Sequence, residues 1–107
     1  MDWEDVLKRG ASIKINYPVF KRAIEHVISD LDEFTFEDVK NQIASVYARL
    51  LVTGNHIDPQ NAKQHAKAKT DKTTVGRVIS RIGTHKTLYR KGDFGARSVY
   101  IRVEEEE

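Results

Sequence analysis

The apolar residues of this chain recur at helical spacing three times in succession and then switch to alternation, an order that leaves few folds open. The first stripe is Phe20, Ile24, Val27, Ile28 and Leu31, which share one side of a helix. Pro18 suits the opening turn, where its missing N–H has no intrahelical partner to lose. The far side carries Arg22, Glu25, His26 and Ser29, so His26 reads as a partly exposed surface residue. The second stripe is Phe36, Val39, Ile43, Val46, Tyr47 and Leu50. Its start is fixed by Thr35 with Asp38 three positions on, the spacing of a capping box, and by Phe34 and Val39 at the two staple positions. Gly54 is its natural limit.

The third pattern is TDKTTVGRVISRIG, residues 70–83. Thr70 or Asp71 caps it, Gly83 ends it, and Val75, Val78, Ile79 and Ile82 form its stripe. At 100° per residue, Thr73, Arg77, Ser80 and Thr84 point away from that stripe, with Arg81 beside them. KTLYR (86–90) and RSVYIRV (97–103) then read as two strands of a hairpin, joined by the turn residues KGDFGA. Residues 55–69 are polar. Asp58-Pro59 is a start signal there, but only Ala62, Ala66 and Ala68 offer a packing surface, so the segment reads as a marginal helix or a basic loop.

Ahead of these elements, residues 2–9 read as a short helix capped by Asp2, with Trp3, Val6 and Leu7 on one side and Gly10 as a stop. Residues 12–15 alternate weakly, as a short strand or an extended lead-in. The expected organisation is a lead-in over 1–16, one domain over 17–103 and an acidic tail over 104–107, in keeping with a length of 107 residues. No apolar run approaches the roughly 18 residues that cross a bilayer, no basic-then-apolar leader opens the sequence, and cysteine is absent. Membrane and secretory roles are therefore not expected, and a cytoplasmic or otherwise intracellular setting is.

Charge is segregated. Residues 1–53 hold seven Lys/Arg against nine Asp/Glu, whereas residues 54–103 hold eleven against three, before four closing glutamates. A basic stretch of this density attracts polyanions, nucleic acid above all. The glutamate tail reads as a solvated end, or as a competitor of phosphate for the basic surface.

Three helices followed by a hairpin, with the basic charge on the last helix and the hairpin, resemble the winged helix-turn-helix family of DNA-binding domains. The likeness rests on FTFEDVKNQIA, TTVGRVISRIG and KTLYRKGDFGARSVYIRV and covers residues 17–103. It implies a mostly α fold with a small β-hairpin, a three-helix core plus a C-terminal wing. The sequence departs from the family in the basic segment inserted between second and third helices, where a tight turn is usual.

The family's mode of action implies a recognition helix in the major groove, carried here by Thr73, Thr74, Arg77, Ser80 and Arg81. Hydroxyls and arginine suit base edges. A wing with Arg90, Lys91, Phe94 and Arg97 would lie on the backbone or minor groove, and Lys63, Lys67, Lys69 and Lys72 would meet phosphate. Double-stranded DNA is the expected partner, bound by a small regulator of transcription or replication. The alternative is a winged-helix adaptor for protein or RNA. Trp3 and Leu7 are then the candidate protein contact, and Phe94, Tyr89 or Tyr100 are the aromatics for stacking. Many domains of the DNA-binding family occupy two half-sites as dimers, so a homodimer is a further candidate partner, with the amino-terminal helix as the place for its interface.

No enzyme is expected. His56, Asp58 and His65 lie close in sequence but at no helical ligand spacing, Asp93-Phe94-Gly95 lacks the companion motifs of a kinase, and neither a phosphate loop nor a nucleophile elbow is present. No cofactor or metal is implied.

Overall fold

The computed structural model describes residues 15–55, 57–92 and 95–103. The expected helix at 2–9, most of the 12–15 segment, His56, Phe94 and the glutamate tail lie outside them. Among the described residues the fold is mostly helical, with a small three-stranded antiparallel sheet. The order is α1 (Tyr17–Ile28), β1 (Glu33–Phe34), α2 (Phe36–Asn55), α3 (Pro59–Lys69), α4 (Lys72–Ile82), β2 (His85–Gly92) and β3 (Gly95–Arg102). Among the described residues no helix is long and apolar enough to cross a membrane. Ile15 belongs to no strand and packs against the core.

Each helix begins at a side-chain cap that satisfies N–H groups with no partner in the first turn. The Asn16 side chain accepts from Val19 N–H. At α2 the box is reciprocal: Thr35 N–H donates to Asp38 Oδ2 at 2.9 Å, and Asp38 N–H donates to Thr35 Oγ1 at 3.3 Å. Asp58 accepts from Gln60 and Asn61 N–H, and Asp71 from Thr74 N–H at 2.8 Å. Gly83 closes α4 at φ 79°, a left-handed conformation open to glycine.

Phe20, Ile24 and Ile28 from α1, Val39, Ile43, Tyr47 and Leu51 from α2, and Val75, Val78 and Ile79 from α4 bury one core with Phe34 and Tyr100 of the sheet. The expected three-helix core is therefore incomplete. Residues 59–69 form a fourth helix, α3, which adds Ala62, His65 and Ala66 to that core. Its small side chains let it lie close against α2, and tertiary packing of this kind stabilises a helix too weak to stand alone. At its centre Tyr47 Oη lies 2.9 Å from His65 Nε2 and accepts from Asn16 N–H at 3.2 Å. With that lone pair occupied, the tyrosine proton is free to point at His65 Nε2. Burial, then the Lys69 charge, lowers the His65 pKa from its ordinary value.

The sheet order is β1-β3-β2. Pairing of β2 with β3 continues to Gly92 opposite Gly95, so residues 93–94 alone connect the strands, in place of the six-residue turn expected. The hairpin is held at its root. His85 Nε2 donates to the Leu31 carbonyl at 2.6 Å, which leaves Nδ1 to accept from the Thr84 hydroxyl at 2.9 Å. Arg102 donates to Asp32 Oδ1 and to the carbonyls of Ser29 and Leu31.

Candidate nucleic-acid interface

The outward side of α4 follows from its helical phase. Val75, Val78 and Ile79 are buried, whereas Thr73, Arg77, Ser80 and Arg81 are exposed. Neither arginine is paired with a carboxylate among the described residues, where the ion pairs are Lys21–Glu25, Arg90–Glu33 and Arg102–Asp32. Arg81 lies over the ring of Tyr17 with its guanidinium carbon 5.6 Å from the ring centroid, a cation–π contact that ties the end of α4 to the start of α1. Thr74 differs from the expectation. It is half-buried, and its N–H and hydroxyl both bond Asp71, so it belongs to the cap and not to the exposed face. Burial alone would raise the Asp71 pKa, but the bonds from Thr74 and Thr73 outweigh it, and the nearby Lys69 charge helps hold the carboxyl below its ordinary range.

The hairpin presents two faces. Side chains of directly opposed residues share a face, so His85, Thr87 and Tyr89 stand with Arg102, Tyr100 and Ser98 in register, and Lys91 continues the same row. This face looks toward the helices: His85, Phe34 and Tyr100 are buried, with Phe34 and Tyr100 stacked at 5.2 Å. Tyr100 reaches α4 where the helix carries Gly76, and a Cβ there would stand 3.0 Å from the tyrosine oxygen. Burial first, then Tyr89 and Glu37, push the Tyr100 hydroxyl above its ordinary pKa. Tyr100 is thus a core residue and offers no stacking surface, whereas Tyr89 is 78% exposed.

The outer face carries Lys86, Leu88 and Arg90 opposite Ile101, Val99 and Arg97. Arg90 also bonds within the sheet. Its guanidinium meets Glu33 Oε1 at 2.6 Å, and since Arg90 and Glu33 flank β3, the pair crosses above Val99 and helps to cover it. Arg97 is exposed, yet its charge is close enough to contribute to the depressed pKa of Asp38, whose main cause is the pair of bonds with Thr35. Lys91 is exposed at the far end of the hairpin, and Phe94 lies outside the described residues.

Lys63 and Lys67 line a concavity of about 430 Å³ with Asn41, Ala44, Ser45 and Ala48, between α2 and α3. A second, of about 370 Å³, brings Lys67 together with Lys40, Lys72 and Thr70. Lys40 lies in the acidic half of the sequence and was missed by charge counting. Its only earlier signal was its place off the apolar stripe of its helix. Lys69 is half-buried beside the turn into α4. Of the three residues weighed as a metal set, Asp58 caps α3, His65 bonds Tyr47, and His56 is outside the described residues.

No family model, curated protein or solved structure matches the chain.

Proposed function

We propose that this chain is a winged helix-turn-helix module that binds double-stranded DNA as a small regulator of transcription or replication. α4 enters the major groove and the hairpin lies along the backbone or minor groove. The observation that carries this reading is the exposed face of α4, where Thr73, Arg77, Ser80 and Arg81 stand on a rigid helix with no carboxylate paired to either arginine among the described residues. Eleven residues of helix are about 16 Å long, and a groove about 12 Å wide admits such a rod.

Connectivity adds support. Thr70 and Asp71 alone separate α3 from α4, so the pair forms two helices joined by a tight turn. In that geometry the first helix crosses the phosphate backbone while the second reads bases. The short strand between α1 and α2 pairs with β3, which ties the hairpin to the helical core as a wing.

Arg77→Ala should weaken binding to a preferred duplex by about 1–3 kcal/mol and relax the preference at that position. Equal weakening on every sequence would make Arg77 a phosphate contact. The exposed cations this reading sets against phosphate are Lys63 and Lys67 of α3, Lys72, Arg77 and Arg81 of α4, and Lys91 of the hairpin. If all six engage, log K against log salt should fall with a slope near −5, from roughly −0.9 per phosphate. A slope near zero with duplex DNA would refute the reading. Tighter binding of single-stranded RNA under the same conditions would replace DNA with RNA as the partner.

A further inference from the structure

We infer that Tyr89 is a nucleic-acid contact of this module, its ring packing against a deoxyribose of the strand that lies in the angle between α4 and the hairpin; this rests on the DNA reading above. The placement follows from the sheet register. Along the face turned to the helices, successive rows run His85–Arg102, Thr87–Tyr100 and Tyr89–Ser98. At the second row Tyr100 reaches Gly76 at the middle of α4. The third row stands about 7 Å farther along the hairpin at roughly 3.4 Å per residue.

There Tyr89 presents a large ring at 78% exposure, beside the half-buried Ser98. It takes part in none of the ring contacts that hold Phe20, Phe34, Tyr47 and Tyr100 in the core. A ring so exposed stabilises the fold little. Its flat apolar face, on the side of the hairpin that turns to α4 with its exposed Arg77 and Arg81, suits a sugar ring flanked by phosphates, and its hydroxyl can donate to a phosphate oxygen.

The test is a titration of the full chain with a labelled random-sequence duplex, beside a labelled single-stranded RNA, at two salt concentrations, comparing Tyr89→Ala, Tyr89→Phe and Arg77→Ala with the parent. Tyr89→Ala should bind about tenfold more weakly, the factor expected from losing burial of roughly 60 Å² of ring. Tyr89→Phe should stay within about threefold, since it keeps the ring. The salt slope should not change for either, because no charge is removed. Thermal midpoints equal to the parent's would show that the fold is intact.

Parent-like binding by Tyr89→Ala, with Arg77→Ala weakened, overturns the assignment and leaves the DNA reading standing. Loss by Tyr89→Ala on single-stranded RNA alone also overturns it, in favour of base stacking. If neither the parent nor any variant binds duplex, the DNA reading fails and the assignment with it.

Discussion

Gly76→Ala separates two opposing effects that the structure places at a single atom. Alanine is favoured over glycine in a helix interior by about 1 kcal/mol, so on an open face the substitution would stabilise α4. Here the new Cβ would stand 3.0 Å from the Tyr100 oxygen, a few tenths of an ångström inside ordinary contact. Tyr100 has little room to retreat, being 4% exposed and stacked on Phe34 at 5.2 Å. Overpacking of this kind costs about 1–3 kcal/mol. The net expectation for Gly76→Ala is therefore a loss of about 1 kcal/mol, or a midpoint lowered by roughly 4–8 °C for a domain of this size. Tyr100→Phe removes the obstructing oxygen, and in that background Gly76→Ala should stabilise by up to about 1 kcal/mol. The resulting coupling of about 2 kcal/mol is readable in a double-mutant cycle by urea unfolding. Equal effects of Gly76→Ala in both backgrounds would refute the close approach of hairpin and helix, and with it the placement of Tyr89 beyond that crossing.

Three further expectations concern the N-terminal cap of α4, the buried histidine and the two capping carboxyls. Asp71→Ala should destabilise the domain by about 1 kcal/mol and speed amide exchange at Thr73 and Thr74 ahead of the core; unchanged exchange there would mean the cap contributes nothing. Since the His65 pKa is lower folded than unfolded, the unfolded chain binds the extra proton first. Stability should therefore decline as pH falls below about 6.5, level off below the folded value, and lose this step in His65→Gln. The carboxyls of Asp38 and Asp71 are also depressed. Their contribution is present above the ordinary carboxylate range and is lost as pH falls through their folded values, a second and more acidic step in the same unfolding titration.

Much of this architecture is legible because its signals are local. Thr35 with Asp38, Asp71 ahead of Val75, and Gly83 after Ile82 mark helix ends through bonds formed within a few residues. The outward set Thr73, Arg77, Ser80 and Arg81 follows from helical phase alone. What escaped depends on distant partners. β1 has two residues and exists as a strand only because β3 lies alongside it. α3 has little apolar surface, and it becomes a definite helix through the fit of Ala62 and Ala66 against α2. The pairing of Arg90 with Glu33 joins residues far apart in sequence, so a count of basic residues in the hairpin overstated the charge free to meet a ligand. Val99, Ile101 and Val103 alternate as strand residues do, but alternation does not say which side faces inward. The inward side carries Tyr100.

The clamp at the hairpin's root has a mechanical consequence. His85 and Arg102 are bonded to the chain just after α1, whereas Lys91 stands roughly 20 Å along the strand at about 3.4 Å per residue. The Tyr100–Gly76 approach and the Arg90–Glu33 ion pair brace the hairpin part-way along, so the lever arm that remains is short and Lys91 stands at the end of it. α4, seated on the core along its length, has no such lever arm. In the proposed interface α4 is thus the stiffer part, and the hairpin end that carries Lys91 the more compliant one.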